Sequence, residues 1–362
     1  MANRLIVHIA QIDITEETGM GRVAFHWIRE LKKRGYQVVH IGSKEVGLSF
    51  HSAFFPIRAR LYLERLKLNP DLILVHEPVA GAFISMRDRL MVFSHGIERR
   101  NWEQRLHKKH FSEGPISLRT RLLFPLWRLL SCDQGLKKAR SLLLINQDDQ
   151  KFAQVYYRRQ IDDILVFRNG VEIVKDPILK NNQNPLTILF NGSWIKRKGI
   201  DTLVKAAIAL FQNKIKVRWL LVGTGYSAEN ILQDFPEIMR DEIEVVSSFE
   251  RKVETQYLER ADIFILPSLF EGQPLSLLQA MAHGLPCVTT NICGQKDIIK
   301  HGENGILFEA GDGEMLATQL KELIIDSGKR QAIGQRAFLS VQNRSWNEVT
   351  RETINWIESR IK

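Results

Sequence analysis

The chain has 362 residues, of which 44% are hydrophobic and 25% are charged. This balance excludes wholesale disorder, and the length is typical of roughly two globular domains. Three cysteines without a CxxC pair disfavour a disulfide framework and a structural zinc site, and they favour a reducing, cytoplasmic compartment. The N-terminal apolar run is short and strand-like, so we do not expect a signal peptide. The sequence contains no stretch of about 18 uncharged apolar residues, so we do not expect a membrane span.

The charge is unevenly distributed. Basic residues exceed acidic ones by ten (51 − 41), and residues 51–130 alone hold 14 basic and 7 acidic residues. Such an excess attracts phosphates, anionic lipid or nucleic acid, and composition does not choose among them. Because no nucleic-acid-binding module accompanies the charge, we do not expect nucleic acid as a partner.

Short apolar runs alternate with amphipathic stretches in the first half of the chain. A helix is predicted over 22–34, with Gly35 as its stop signal. Continuous apolar strands separated by helices indicate a parallel sheet that is covered on both faces. The runs predict strands at 4–9, 37–42, 72–76, 90–94, 141–146 and 163–167.

The composition changes at residues 171–186, where Asn and Pro are frequent and no period is sustained. We therefore predict a linker there. We therefore expect an α/β protein with two doubly wound, Rossmann-like domains at 1–170 and 187–340, facing a central cleft. In such sheets ligands bind at the carboxyl ends of the strands. The second series predicts strands at 187–191, 217–222, 242–246, 263–267, 286–290 and 305–308.

Two glycine-containing motifs follow strands of the first half. The segment TGMGR, from Thr18 to Arg22, can form a phosphate loop ahead of a helix or a plain turn. His95 and Gly96 come where a strand opens into the expected cleft, although a histidine hydrogen-bonded in a loop is the commoner reading. The neighbouring charges Glu98, Arg99 and Arg100 are typical of a solvated face.

The second half carries stronger signals. Lys196, Arg197 and Lys198 stand in a loop at the end of a strand, where a diphosphate leaving group would need cations, and a solvated basic turn is the alternative. Farther along, Glu271 is followed by a helix N-terminus whose amides would be free to bind sugar or phosphate. Gln279 lies within about 80° of the same helix face at 3.6 residues per turn. The alternative is a helix start without a ligand.

Other candidates carry less weight. The pairs Asp148-Asp149 and Asp162-Asp163 are expected at helix or strand starts, so no metal is assigned. Residues 118–130 mix Arg with Leu, Phe and Trp and can lie on an anionic membrane surface. A core-facing helix is favoured there, because Pro125 interrupts the helical period.

Seven segments, in order from residue 19 to about 357, resemble glycosyltransferase family 4. EGQPLSLLQAMAHGLPCV resembles the family's E-x7-E region, and GSWIKRKG resembles its GRLxxxKG loop. Its first glycine loop resembles TGMGRVA, and its hinge resembles RNGVE. Its VGxG turn resembles LVGTG, and its NGLLV strand resembles ENGILF. Its final helix resembles the closing segment SWNEVTRETINWIE.

The resemblance implies a GT-B fold whose last helix, within 341–362, crosses back to the first domain. It implies a UDP-, GDP- or ADP-sugar donor, no metal or other cofactor, and transfer with retention of configuration. Catalytic roles fall to Glu271, Lys198 and His95. Donor-binding roles fall to Gly21, Arg197, Gly272, Gln273, Pro274, Leu275, Ser276 and Gln279.

Two residues depart from the family pattern. Gln279 replaces the second Glu, which binds ribose hydroxyls in the family, and it loses the charge-assisted strength of a carboxylate. Ser193 replaces the usual Arg of the phosphate loop, and Lys196 and Arg197 are the cations nearest to it in sequence.

We therefore expect a hexosyltransferase that acts on a cell-surface polysaccharide or glycolipid. The expected location is the cytoplasm, with a peripheral position at the inner face of an anionic membrane. One alternative is a sugar-nucleotide epimerase or hydrolase on the same fold, which needs no acceptor. Another alternative is a catalytically silent GT-B binding protein, because Gln279 and Ser193 depart from the family pattern.

Overall fold

A computed structural model describes residues 4–17, 19–47, 52–107, 116–177 and 185–361 of the chain. Over these residues the chain forms two compact units. The first contains residues 4–107, 116–169 and 346–361, and the second contains residues 170–177 and 185–345. Residues 178–184 of the predicted linker lie outside the described residues.

The first unit contains a six-stranded sheet with the order β2-β1-β3-β4-β5-β6, in which every neighbouring pair is parallel. Parallel strands need helical crossovers that cover both faces, which explains why these strands are mostly apolar. The strands are β1 (Leu5–Ile9), β2 (Gln37–Ile41), β3 (Leu72–His76), β4 (Leu90–Phe93), β5 (Ser141–Leu144) and β6 (Ile164–Val166).

Helices connect these strands and carry the chain back to the sheet. They are α1 (Gly19–Lys33), α2 (Ser43–Val46), α3 (Phe55–Arg65), α4 (Glu98–His107), α5 (Leu118–Phe124), α6 (Leu130–Lys138) and α7 (Gln147–Tyr156). A π-helical turn, Pro125–Leu129, joins α5 to α6, and 3-10 turns cover Ser52–Phe54, Glu77–Arg89 and Ile161–Asp163.

The second unit contains another parallel six-stranded sheet, with the order β12-β11-β10-β7-β8-β9. Its strands are β7 (Leu186–Asn191), β8 (Val217–Val222), β9 (Ile243–Val246), β10 (Ile263–Leu266), β11 (Cys287–Thr290) and β12 (Ile306–Phe308). Its helices are α8 (Ile200–Gln212), α9 (Ala228–Leu232), α10 (Glu254–Arg260), α11 (Leu275–Ala282), α12 (Cys293–Ile298), α13 (Gly313–Ile325) and α14 (Ser327–Ser340), with 3-10 turns at Lys196–Lys198, Glu237–Glu242 and Arg251–Val253.

The predicted strands are confirmed, each within two residues at either end, because most of them are runs of buried apolar side chains. The prediction of two doubly wound parallel sheets is therefore confirmed. The predicted helix over 22–34 is wrong at its start, because α1 already begins at Gly19. Thr18, which precedes it, lies outside the described residues.

The C-terminal helix, α15 (Trp346–Glu358), packs against α1 of the first unit. The Trp346 and His26 rings stack with their centroids 4.2 Å apart. At the other end of the contact, Arg34 Nη1 lies 2.6 Å from Glu358 Oε2. An aromatic stack and an ion pair thus fix the last helix at two separate points.

The preference for a core-facing helix over residues 118–130 is wrong. Leu118, Leu122 and Leu126 are 77%, 70% and 67% exposed, and Leu130 is exposed as well. Their spacing of four residues places them along one side of α5 and the following turn, which we call the leucine stripe. Arg119 and Arg121 are exposed beside it.

None of the helices within the described ranges has the length and apolar character that crossing a membrane requires.

Candidate active site

The order of the second sheet reverses between β7 and β10, which are neighbours although two strands, β8 and β9, and their helices separate them along the chain. Loops that leave the carboxyl ends of two such strands run in opposite directions and open a crevice, where ligands bind in doubly wound folds. The loop after β7 carries the three cations, and the loop after β10 carries Glu271. The topology thus brings together two segments that are more than 70 residues apart.

Gly199 lets these two loops touch. It ends the cationic turn with a φ of 74°, and a Cβ at this position would lie 1.9 Å from the carbonyl oxygen of Pro267. A side chain would therefore collide with backbone. The amide of Leu269 also donates to the carbonyl of Arg197 over 2.8 Å, which joins the loops through the main chain.

The three predicted cations separate into two groups. Lys198 Nζ lies 2.6 Å from Glu271 Oε1, and Arg197 Nη1 lies 3.5 Å from the same oxygen. Arg197 also donates to the carbonyl of Phe270 over 3.0 Å. Lys196 instead pairs with Asp201 at 3.5 Å, and both of these side chains are about half exposed. The structure therefore gathers two cations around one carboxylate, and Lys196 belongs to the surface.

Glu271 is ionised at this place although it is only 8% exposed. Burial by itself would raise the pKa of Glu271, but the charges of Lys198 and Arg197 and the hydrogen bond from Lys198 outweigh burial. The pKa therefore lies below its ordinary value. The cluster carries one net positive charge, two cations against one carboxylate, at the mouth of the crevice.

The loop after Glu271 leads into α11 as the sequence indicates. Pro274 directly precedes the helix, which begins at Leu275, so the amides of Leu275 and Ser276 belong to its first turn and have no partner within the helix. Gly272 is pressed against Gly294, where a Cβ would lie 1.4 Å from the Gly272 carbonyl oxygen. Gln273 is buried beside them. The close contact with Gly294 and the burial of Gln273 thus restrict the movement of this loop.

Gln279, on α11, faces a carboxylate that sequence reasoning missed. Its Nε2 donates to Glu254 Oε2 over 2.6 Å, and the other oxygen of Glu254 accepts from Asn191 Nδ2 over 3.0 Å. Asn191 ends β7 and Glu254 begins α10. Residues 25 and 63 positions apart meet here, and no sequence pattern links them.

Gly21 is buried in the first turn of α1, so its amide is among those without an intrahelical partner. Its predicted phosphate contact stays a prediction.

His95 follows β4 and lies among aromatic rings. The centroids of Phe93, Phe167 and His76 are 5.8, 5.7 and 5.9 Å from its own. Burial lowers the pKa of His95 to about 4, so the ring is neutral at pH 7. A neutral imidazole has one donor and one acceptor nitrogen.

The loop that carries His95 is supported by Glu77, which sequence reasoning also missed. Ser94 Oγ donates to Glu77 Oε2 over 2.6 Å, and the amide of Glu98 donates to Glu77 Oε1 over 3.0 Å. Glu77 follows β3 directly and is 1% exposed. The signal in the sequence was a charged residue at the end of an apolar strand.

The expectation of a solvated face at Glu98, Arg99 and Arg100 is wrong. Arg99 pairs with Asp133, and Arg100 pairs with the fully buried Asp149. Glu98 Oε1 lies 2.8 Å from Arg128 Nη2. All three side chains are half-buried, so they connect α4 to its neighbours.

Groups of three or more His, Cys, Asp or Glu side chains that could hold a metal ion are absent from the part of the chain that the structure describes. Asp148 and Asp149 lie in the first turn of α7, and Asp162 and Asp163 lie in the turn before β6, as expected.

Residues 185–326 match the model of the family described as glycosyl transferases group 1. The chain is 30% identical over 189 residues to N-acetyl-alpha-D-glucosaminyl L-malate synthase of Bacillus anthracis, covering 52% of this chain and 49% of that protein. It is 26% identical over 186 residues to UDP-Gal:alpha-D-GlcNAc-diphosphoundecaprenol alpha-1,3-galactosyltransferase of Escherichia coli, covering 48% of each. The matches thus span about half the length of these curated relatives.

The fold is similar to that of sucrose-phosphate synthase from Thermosynechococcus elongatus, with a TM-score of 0.79 and 16% identity over 98% of both chains. At that identity the likeness concerns the fold alone, and it shows the GT-B fold. Together with the family match, which covers the second sheet and the two loops that meet at Glu271, it confirms the resemblance of this chain to glycosyltransferases.

Proposed function

We propose that the protein is a retaining, metal-independent glycosyltransferase. It moves a hexose from a UDP-, GDP- or ADP-sugar to a polysaccharide or glycolipid acceptor. The observation that carries this proposal is the cluster of Lys198, Arg197 and Glu271 at the point where the second sheet reverses its order. The name of the Escherichia coli relative, a galactosyltransferase with UDP-Gal and a diphosphoundecaprenol-linked sugar in its name, agrees with transfer of this kind.

The cluster fits the charge that develops during transfer. When the bond between the sugar and the diphosphate breaks, negative charge accumulates on the leaving phosphate oxygen, and cations placed there in advance stabilise it. Lys198 has three N–H donors, so it can keep Glu271 as a partner and still donate to a phosphate oxygen. Arg197 adds a second donor group without any metal.

Glu271 has a separate role in this proposal. As an ionised carboxylate it accepts hydrogen bonds from sugar hydroxyls, and its two cationic partners fix its orientation. The amides of Leu275 and Ser276, at the start of α11, donate to the sugar or to phosphate. Gly272, Gln273 and Pro274 hold this loop in place.

Gly21 and His95 keep their predicted roles as parts of the proposal. Gly21 offers an amide of the first turn of α1 to phosphate. His95, neutral at pH 7, exchanges hydrogen bonds with the sugar without adding a positive charge that would compete with the departing anion.

The leucine stripe supports a peripheral position on an anionic membrane. Its four leucines are exposed over consecutive turns, and Arg119 and Arg121 flank them. Apolar side chains that enter the headgroup boundary and arginines that meet anionic lipid together favour such binding. A lipid-linked acceptor would lie at the same surface.

The donor is identified by a thermal-shift screen of UDP-, GDP- and ADP-sugars. A ligand at 100 times its dissociation constant adds about 2.7 kcal/mol to the free energy of unfolding. We expect a shift with sugars of one base. A panel without any shift would contradict the proposal.

Product analysis with labelled donor separates transfer from its alternatives. We expect label to appear in a glycan or lipid fraction only when an acceptor extract is present. Free sugar or an epimerised nucleotide sugar, formed equally without acceptor, would instead indicate a hydrolase or an epimerase.

Liposome co-sedimentation tests the membrane position. Leu122→Asp is expected to reduce salt-sensitive binding to anionic vesicles about tenfold, because it removes an exposed apolar group that would enter the bilayer and adds a negative charge. Ile238→Asp, at a residue of the second unit that is 74% exposed, is the matched control and should bind as the wild type does. Equal binding of both variants would contradict the stripe's role.

A further inference from the structure

A basic cleft lies at the amino edge of the first sheet, the edge opposite to the one that carries His95. Its volume is about 520 Å³, and it is lined by Arg87, Asp88, Lys138 and Arg140. The first two of these residues precede β4, and the other two precede β5, the parallel neighbour of β4. We call this feature the amino-edge cleft.

The backbone around the amino-edge cleft is fixed by hydrogen bonds. The amide of Arg140 donates to the carbonyl of Leu90 over 2.9 Å, which joins the starts of the two strands. Arg159 donates from Nη1 to the carbonyl of Ala139 over 2.6 Å and from Nη2 to that of Arg140 over 3.0 Å. The 3-10 turn that carries Arg87 packs against α6. The lining cations therefore stand on backbone whose position is set before a ligand binds.

Positive charge predominates in the lining of the cleft. The one carboxylate, Asp88, lies 3.9 Å from Arg87 Nε, and the two side chains are 96% and 67% exposed, so water weakens this pair. Within the described residues, Lys138 and Arg140 have no acidic side chain at ion-pair distance. Three cations against one carboxylate leave two net positive charges around one cavity. Their mutual repulsion is relieved when an anion enters.

The chemistry of the lining fits a phosphate group. Lys and Arg side chains have N–H donors and no acceptors, so their ligand must supply the acceptors. A guanidinium group matches two phosphate oxygens at once, and an ammonium group adds a point charge. A phosphate monoester carries about −1.5 to −2 charges at pH 7, which balances the net charge of the lining. A single carboxylate would balance only half of it.

We propose that the amino-edge cleft binds a phosphate monoester group or inorganic phosphate, separately from the donor site. This inference does not rest on the proposed function. The separation follows from the position of the cleft: β4 has four residues, so its two ends are roughly 10 Å apart, and His95 lies beyond the far end. The phosphate belongs to a soluble ion or to a lipid headgroup, and both present the same group to the cleft.

The first experiment is calorimetric titration of the full chain with inorganic phosphate at constant ionic strength. Lys138→Gln/Arg140→Gln should weaken one binding event about tenfold or more, because it removes hydrogen bonds to a charged group. Lys137→Gln is the matched control, since Lys137 is an exposed neighbour on α6 outside the lining. It should change the Kd less than about twofold. Phosphate bound at Lys198 contributes equally to all three proteins.

Asp88 gives a second measurement with the opposite sign. Its side chain is 96% exposed, so Asp88→Asn removes a charge from the lining without disturbing the fold. Phosphate binding should become about threefold tighter, because a repulsive charge is lost. Binding by Asp88→Asn that is no tighter than in the wild type would overturn the proposal. Equal binding by the wild type and by Lys138→Gln/Arg140→Gln would overturn it as well.

Co-sedimentation with vesicles identifies the source of the phosphate. Vesicles that contain phosphatidic acid present phosphate monoester groups, and vesicles of phosphatidylcholine alone are the comparison. If Lys138→Gln/Arg140→Gln loses binding to phosphatidic acid as well as to inorganic phosphate, the cleft takes a lipid headgroup; if it loses only inorganic phosphate, the cleft takes a soluble ion. Leu122→Asp should keep its calorimetric phosphate binding, which separates the cleft from the leucine stripe. Loss of phosphate binding in Leu122→Asp would contradict the assignment to the cleft.

Discussion

Glu77 and Glu271 occupy similar places in the two units and have opposite electrostatic properties. Glu77 directly follows β3 and Glu271 follows β10 after a short loop, and they are only 1% and 8% exposed. Burial acts in the same direction on both, because it disfavours the charged carboxylate. The difference between them therefore comes from their neighbours.

Burial raises the pKa of Glu77 to about 8, and the negative charge of Glu98 adds to this effect more than the hydrogen bond from Ser94 offsets it. Lys198 and Arg197 instead hold the pKa of Glu271 below its ordinary value. Buried carboxylates at sheet ends thus serve two purposes. Where cations converge, the carboxylate is a charged binding group, and where they do not, it is a neutral hydrogen-bonding support.

Histidines extend this contrast in the first unit. Burial lowers the pKa of His8 and His76 well below the ordinary value, and neighbouring histidines lower each further. Glu77 and these histidines are therefore uncharged at pH 7, whereas the second sheet presents the ion cluster of Lys198, Arg197 and Glu271. The carboxyl edge of the first sheet suits uncharged sugar hydroxyls, and that of the second suits phosphate.

The largest expected effect concerns the neutral carboxyl of Glu77. Its folded pKa of about 8 lies above the unfolded value of 4.5, so the folded state binds the extra proton between these pH values. Stability should therefore fall as pH rises from about 4.5 to about 8, by roughly 1 kcal/mol per pH unit. Urea unfolding across this range should show a shallower decline for Glu77→Gln, which stays neutral. Parallel curves for the two proteins would show that Glu77 is already ionised.

The second prediction compares two ion pairs of equal length. Lys198–Glu271 and Lys329–Glu322 are both 2.6 Å apart, but the side chains of the first pair are 15% and 10% exposed and those of the second 38% and 48%. Glu271→Ala should cost about 3 kcal/mol of unfolding free energy, because it leaves a shielded cation unpaired. Glu322→Ala should cost less than about 1 kcal/mol. Equal costs would contradict the claim that burial distinguishes these pairs.

A smaller effect is expected from His8, whose Nδ1 lies 2.9 Å from that of His40. Because its folded pKa is depressed, the unfolded chain takes up the proton first, and stability should be lost as pH falls below about 6.5. His8→Asn should reduce this acid loss by on the order of 1 kcal/mol per pH unit. The slope against pH is the measurement, so any constant cost of the substitution does not affect it. An unchanged slope would show that His8 does not titrate in this way.

The fold was predictable because local patterns determine it. Strands such as β3 and β8 are apolar runs with clear ends, and the structure reproduces both as the sequence delimits them. Loops after strands could be matched to Lys198 and Glu271 because parallel strands place their carboxyl ends at one edge. What remained hidden were pairings without a spacing rule, such as Glu254 with Gln279 and Arg100 with Asp149.

The exposure of residues 118–130 was hidden for another reason. Leu118 and Leu122 have the spacing of a core-facing stripe, and composition does not tell a face that meets a core from a face that meets solvent or lipid. The side chains themselves decide this, and they are exposed. Sequence periodicity thus predicts which side of a helix is apolar, but it does not predict what that side contacts.

The central claim is that Lys198 stabilises the leaving diphosphate, and its most direct test is turnover of the donor found in the screen. Lys198→Ala should lower turnover about 100-fold or more. Lys196→Ala, two residues away and paired at the surface with Asp201, should change it less than about fivefold. Wild-type turnover in Lys198→Ala, or an equal loss in both variants, would contradict the claim.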